Sequence, residues 1–141
     1  MGQINAFISC SLRQEDEAFV RLVERILIDQ RITPFGTVGM YSASPENPVE
    51  LMKKNIPEAD IVVLCATPRY VQRDYHSGKE SHGISEMLHV ESGMAIAHNK
   101  PVVVFVQDGT NVGAAIPNIT QYITITRRPE DLERQLPLVR N

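Results

Sequence analysis

Short apolar runs and longer stretches of mixed residues alternate along the whole chain. Five runs have the composition of strands: 4–10, 32–35, 61–67, 101–106 and 121–126. Four stretches repeat apolar residues at helical spacing: 15–30, 49–56, 84–98 and 129–136. This alternation predicts an α/β fold with a five-stranded parallel sheet covered by helices on both sides. No internal repeat or linker interrupts the pattern, so residues 1–141 are expected to form a single domain.

The composition of the chain limits the kinds of molecule that it is expected to bind. The net charge is −3 and no basic run exceeds two residues, which argues against nucleic-acid binding. No apolar segment has membrane-spanning length and no secretory signal begins the chain, so no membrane partner and a cytoplasmic location are expected. Cys10 and Cys65 lie inside apolar runs, which favours reduced core thiols over a disulfide.

In parallel α/β sheets, ligands bind at the carboxyl ends of the strands. The segments that follow the first four predicted strands are 9–13, 36–44, 67–75 and 107–113. They contain Arg13, Arg69 and Arg73, any of which is a candidate to meet a phosphate. Residues 68–81 are polar and lack periodicity, and we expect them to form a loop.

Glu91 breaks the pattern of the third helix. On a helical wheel it falls at the centre of the apolar stripe of Ile84, Met87, Leu88, Met94 and Ala95. A carboxylate in such a place is costly unless it is paired or functional, and burial would raise its pKa. A structural Glu that accepts hydrogen bonds from loop amides or pairs with an arginine is an equal alternative at this stage.

Metal chemistry has little support in the sequence. His82, Glu86 and His89 have ligand-like helical spacing, but we expect them to face solvent, and no Cys/His zinc pattern is present. Phosphate-binding loops and nucleophile elbows are also absent from the sequence. We therefore predict no metal and no bound cofactor.

Three segments resemble Toll/interleukin receptor (TIR) domains: INAFISCS at the start, ADIVVLCATPRYVQ in the middle, and MLHVESGMAIAHNKPVVVFV. In that family an aromatic residue commonly precedes the catalytic Glu by four positions, and here that place holds Met87. The stretch ESGMAIAHNKPV is also similar to an ExGxAxAxxKPV element of nucleoside 2-deoxyribosyltransferase-like proteins. Both families act on N-glycosidic bonds with a Glu.

The TIR resemblance implies a flavodoxin-like three-layer sandwich. It also implies that Glu91 is the catalytic carboxylate and that Phe7 and Ser9 line the pocket. Ser85 and Met87 would form the wall before Glu91, and Tyr41 would lie in the mobile loop after the second strand.

Three hypotheses follow from these observations. The first is a TIR-like enzyme that hydrolyses or cyclises NAD as its substrate. The second is a nucleoside or nucleotide N-glycosidase or deoxyribosyltransferase, which would also need an acid such as Asp74. The third is a non-enzymatic assembly or nucleotide-sensing module. A nucleotide or dinucleotide ligand and self-association into a homo-oligomer are expected partners.

Overall fold

The computed structural model describes residues 4–10, 13–35, 48–113 and 121–125. Three helices are α1 (Glu17–Asp29), α2 (Pro48–Asn55) and α3 (Glu86–Ala97), and a 3-10 turn at Gln14–Asp16 precedes α1. The strands are β1 (Ile4–Ser9), β2 (Ile32–Phe35), β3 (Ile61–Ala66), β4 (Tyr70–Arg73), β5 (Glu80–Gly83), β6 (Val102–Gln107), β7 (Thr110–Asn111) and β8 (Gln121–Ile125). Tyr41, the segment 36–44 after the second predicted strand and the predicted helix at 129–136 lie outside the described residues.

The main sheet has the strand order β2-β1-β3-β6-β8, and all neighbouring strands in it run parallel. Its strands lie where the sequence places strand-like runs, and the predicted α/β fold around a parallel sheet is confirmed. From β1 the chain moves outward to β2 and then returns across β1 to β3. The strand order therefore reverses beside the carboxyl end of β1.

Side chains of the central strands separate onto two faces of the sheet because strand residues alternate in direction. On one face, which we call the α1 face, Ala6, Ile8 and Val63 pack against α1. On the other, the α3 face, Phe7, Val62 and Leu64 pack with residues of α2 and α3. The apolar stripe of α1 (Phe19, Leu22, Val23, Ile26 and Leu27) is buried, as its helical spacing predicts.

Both ends of α3 follow from local sequence. The Ser85 hydroxyl accepts a hydrogen bond from the Met87 amide (3.2 Å), which caps the first turn. At the other end Asn99 adopts a left-handed backbone (φ 56°), and the Lys100 amide donates to the Ala95 carbonyl (2.9 Å). The helix thus begins two residues later than its apolar spacing alone predicts, at Glu86.

The prediction that residues 68–81 form a loop is wrong. Strands β4 and β5 form an antiparallel hairpin, and β7 adds parallel to β5 to complete a second small sheet. Asp74 shapes the turn, since its carboxylate accepts from the amides of His76 (2.9 Å) and Ser77 (2.7 Å), and Gly78 supplies a positive φ of 73°. The hairpin lacks an apolar face because all four residues of β4 are exposed. The sequence therefore shows no alternation of apolar and polar residues from which these strands could be predicted.

Within the part of the chain that the structure describes, every helix falls short of the length and apolar character needed to cross a membrane. Cys10 and Cys65 are not joined by a disulfide, and Cys65 is buried on the α1 face. Burial raises the pKa of the Cys65 thiol well above its ordinary value, so this side chain stays protonated.

Candidate active site

Glu91 lies in the middle of α3 and faces the sheet. Its helix packs on β3 and β6, with Leu88, Ser92 and Ala95 buried on the same side. Only 7% of Glu91 is exposed, although it carries a carboxylate. The helical wheel predicts this inward position, and the structure shows it.

Ser9 supplies the hydrogen bond that Glu91 receives. Ser9 is the last residue of β1, and the strand pleat directs it to the α3 face together with Phe7. Its hydroxyl donates a short hydrogen bond to Glu91 Oε1, a contact that joins residues 82 positions apart in the chain. The pair therefore sits at the carboxyl edge of β1, where the strand order reverses.

Burial controls the charge on this carboxyl group. Loss of hydration raises the pKa of Glu91 from 4.5 to about 7, and the hydrogen bond from Ser9 acts in the opposite direction by stabilising the ionised form. No salt bridge to Glu91 occurs among the described residues. A carboxyl group with a pKa near neutrality can be either a proton donor or an anion under ordinary conditions.

Apolar and capping residues lie on the same face of the sheet as the pair. Phe7 is buried and meets Phe35 of β2 edge to face, with ring centroids 6.2 Å apart. Met87, one turn before Glu91, is half-buried against the same cluster. Ser85 uses its hydroxyl to cap α3. The structure thus brings Phe7, Ser9 and Met87 to the α3 face together with Glu91.

Arg13 has protein partners. Its Nε donates to the buried carboxylate of Asp16 (3.0 Å), and its Nη2 donates to the carbonyl of Pro68. A further ion pair joins Arg13 to exposed Glu15 (3.3 Å). These bonds tie the segment after β1 to the segment after β3. Phosphate binding by Arg13, which the sequence suggests, stays a prediction. A phosphate group would have to compete with these partners for the Arg13 guanidinium.

Asp74 is not placed as an acid beside Glu91. It is fully exposed in the turn of the β4–β5 hairpin, where hydrogen bonds from Ser77 and His76 lower the pKa of its carboxyl group. A group that holds its charge so firmly is a poor proton donor near neutral pH.

Two buried hydroxyl groups were not predicted from the sequence. Ser92 Oγ and Thr110 Oγ1 are buried and have no hydrogen-bond partner among the described residues. Ser92 directly follows Glu91 on the inward side of α3. A serine inside an apolar helical stripe is the signal that could have identified it, since an unsatisfied buried hydroxyl is costly.

His82, Glu86 and His89 are all exposed, and the described residues contain no group of three or more potential metal ligands from His, Cys, Asp and Glu. The site as described therefore consists of one buried carboxyl group, one hydroxyl that donates to it, and an apolar wall. Such an arrangement suits chemistry in which a single carboxylate meets a developing positive charge.

A comparison with known protein families gives a match over most of the chain. Residues 5–128 match the family described as "Domain of unknown function (DUF4062)". The chain belongs to this family. No curated protein matches the DUF4062 chain significantly. The TIR and deoxyribosyltransferase resemblances continue to rest on the sequence motifs.

A solved structure shares the fold at low sequence identity. The CMP N-glycosidase BcmB of Clostridium botulinum is 16% identical with a TM-score of 0.56, covering 96% of the DUF4062 chain and 98% of its own. A 3-dehydroquinate dehydratase-like protein from Bifidobacterium longum is 17% identical over 99% of this chain and 98% of its own, with a TM-score of only 0.42. The first similarity indicates a common fold, whereas the second is too weak to interpret.

Proposed function

We propose that this DUF4062 domain cleaves the N-glycosidic bond of a nucleotide or nucleoside, with Glu91 as the catalytic carboxylate. The observation that carries the proposal is the burial of Glu91 on α3 with Ser9 as its hydrogen-bond donor at the carboxyl edge of β1. The fold shared with a CMP N-glycosidase supports the same reaction class.

The position of the pair also supports a ligand site. The order β2-β1-β3-β6-β8 matches the flavodoxin-like order, in which ligands bind where the strand order reverses. We propose this flavodoxin-like layering for the domain. A sugar placed over the end of β1 would meet Ser9 and Glu91, with Phe7 and Met87 as apolar walls.

The chemistry needs the ionised form of Glu91. As the bond between the anomeric carbon and the base nitrogen breaks, the electron pair leaves with the base and positive charge develops on the sugar. The Glu91 carboxylate either stabilises that charge or forms a bond to the anomeric carbon, which water then cleaves. The sugar carbon gains the hydroxyl of water. The remaining proton goes to the base when cytosine leaves, and to solvent when nicotinamide leaves, because nicotinamide is cationic in NAD and departs as the neutral base.

Ser9 is a positioning residue in this scheme. Its hydroxyl donates to one carboxylate oxygen and leaves the other, Oε2, available for the sugar. The same bond favours the ionised state against the cost of burial. Ser85 and Arg13 are proposed contacts for the remainder of the ligand, and Tyr41 is proposed on the TIR resemblance alone.

Three substrate types fit the proposal. CMP corresponds to the similar N-glycosidase, NAD corresponds to the TIR resemblance, and a deoxynucleoside corresponds to the transferase resemblance. In all three, a heterocyclic base leaves from the anomeric carbon of a pentose, so the carboxylate performs the same task.

Product analysis by chromatography tests the proposal. The purified chain is incubated separately with CMP, NAD and deoxycytidine, and the release of cytosine or nicotinamide is measured over time. Base release from at least one substrate, in proportion to the amount of protein, is the expected result. Absence of release from all three at high protein concentration contradicts the enzymatic proposal and favours a binding or assembly role.

A further inference from the structure

The two cysteines of the chain, Cys10 and Cys65, lie side by side at the end of β1. The parallel pairing of β1 with β3 joins Ser9 to Leu64, so the next residue along each strand is a cysteine. Both side chains lie on the α1 face, where Cys65 is part of the buried core and Cys10 packs against that core. The fold therefore brings two thiols to neighbouring positions on adjacent strands.

The spacing of adjacent strands suits a disulfide bond. Neighbouring strands lie about 4.8 Å apart, and Cα atoms joined through a disulfide usually lie about 4.4–6.8 Å apart. The Cβ atoms must come closer, to about 3.8 Å, so the two strand ends have to move toward each other when the bond forms. A disulfide at this place is therefore strained, and strained disulfides are the ones that cells reduce readily.

The movement falls on the β1 side of the pair. Cys65 is held on its other side, because its backbone pairs with Phe105 of β6 and its side chain is fully buried. The described pairing of β1 with β3 ends at Ser9, one residue before Cys10. A shift of Cys10 toward Cys65 therefore also moves Ser9, whose hydroxyl donates to Glu91 on the opposite face.

The two thiols differ in their access to solvent. Cys65 is fully buried, whereas Cys10 is half-buried. Burial and, as a smaller cause, the nearby Cys10 thiol raise the pKa of Cys65 well above its ordinary value. An oxidant in solution therefore reacts first at Cys10, because the buried and neutral Cys65 is closed to it.

We infer that Cys10 and Cys65 form a reversible disulfide that displaces Ser9 relative to Glu91. The oxidant is a small disulfide of the class of oxidised glutathione. The effect of this bond on base release rests on the proposed function, whereas the bond itself and the movement of Ser9 do not.

The reaction takes place in two exchange steps. The Cys10 thiolate attacks one sulfur of oxidised glutathione, a mixed disulfide forms, and one glutathione thiolate leaves. The Cys65 sulfur then attacks the Cys10 sulfur, the second glutathione leaves, and the proton of Cys65 passes to it. Two protein thiols are oxidised to one disulfide, and one glutathione disulfide is reduced to two thiols.

Intact mass in glutathione redox buffers tests whether the bond forms. The full chain is equilibrated at a series of ratios of oxidised to reduced glutathione and then quenched with acid. At oxidising ratios we expect a single chain that is lighter by two hydrogen atoms and regains them when reduced glutathione is added. Cys65→Ala should stop at the mixed disulfide on Cys10, and Cys10→Ser should stay unmodified. A native chain that stays unmodified, or that stops at the mixed disulfide, would overturn the inference.

Carbon-13 NMR of the Glu91 side-chain carboxyl group tests the movement of Ser9. This signal should shift between the reduced and the oxidised chain, because the oxidised chain alters the hydrogen bond from Ser9. In Ser9→Ala the same oxidation should leave the Glu91 signal in place, since that variant lacks the hydroxyl. An unchanged Glu91 signal in a native chain whose mass shows the disulfide would contradict the displacement of Ser9. Neither measurement requires enzymatic activity, so a failure here is distinct from a failure of the proposed function.

Discussion

The two faces of the sheet use the same strands for different purposes. On the α1 face, β1 and β3 contribute Ala6, Ile8 and Cys65 to a core closed by α1. On the α3 face, the alternate residues of the same strands form an apolar base that ends at Ser9, where Glu91 meets it. The two faces therefore differ by one polar residue at the end of β1, which gives a buried carboxyl group on α3 its hydrogen-bond donor.

Burial has different consequences on the two faces. On the α1 face it raises the pKa of the Cys65 thiol, which keeps that group neutral and inert. On the α3 face it raises the pKa of Glu91 to about 7, which brings the neutral, protonated state within reach at physiological pH. Burial thus leaves the ionisable group on the α1 face neutral, whereas it leaves the one on the α3 face able to change its charge near neutral pH.

The largest expected effect lies on the α1 face. Phe105 of β6 is buried in that core, and Phe105→Ala should lower the free energy of unfolding by about 3–5 kcal/mol. Chemical denaturation measures the loss. A change below 1 kcal/mol would show that the α1 face does not carry the stability assigned to it.

The next largest expected effect is a gain in the free energy of unfolding, and it concerns Glu91 on the α3 face. Because the pKa of Glu91 rises from 4.5 to about 7 on folding, its ionisation is disfavoured in the native state, and stability falls as pH rises through this window. Glu91→Gln should therefore be more stable than the native chain at pH 8 by up to about 3 kcal/mol. Below pH 4.5 this advantage should vanish.

Denaturation of both proteins at pH 5 and pH 8 measures the difference. Glu58→Gln, at an exposed carboxylate, is the matched control and should show little change at either pH. Equal stability of Glu91→Gln and the native chain at pH 8 would mean that Glu91 does not bear the predicted cost of burial.

A smaller effect concerns Ser9. Since its hydrogen bond lowers the pKa of Glu91, Ser9→Ala should raise that pKa and move the acidic limb of the pH–rate profile to higher pH. One hydrogen bond of about 1 kcal/mol corresponds to a several-fold loss of activity near pH 7, with recovery at higher pH. A uniform loss of activity at every pH would indicate that Ser9 acts by another route.

The smallest effect concerns Ser92. Its buried hydroxyl has no partner among the described residues, so Ser92→Ala should leave stability unchanged or raise it by up to about 1 kcal/mol. Thermal unfolding and activity are measured on the same samples. A variant that is more stable but less active would show that this hydroxyl contacts the substrate.

Sequence periodicity predicted the parts of the fold that bury apolar surface. The runs at 61–67 and 101–106 become β3 and β6, and the stripe of α1 becomes the core of its face. The β4–β5 hairpin could not be predicted by the same means, because its exposed strands bury no apolar face. Its only sequence signal was the turn formed by Asp74, Ser77 and Gly78.

The candidate site was predictable where it broke a pattern. Glu91 stood out as a carboxylate within an apolar stripe, and its burial agrees with that reading. The contact with Ser9 joins two distant segments and depends on strand register, which helical spacing does not encode. Likewise, the partners of Arg13 become visible only when the segments after β1 and β3 are brought together.

The most direct test of the central claim compares Glu91→Gln with the native chain on whichever substrate releases base. Glu91→Gln keeps the size of the side chain and an oxygen to accept the hydrogen bond from Ser9, but it removes the charge. We expect base release to fall on the order of 10³-fold while thermal unfolding at pH 8 occurs at the same or a higher temperature. Base release at the native rate by a folded Glu91→Gln protein would contradict the account.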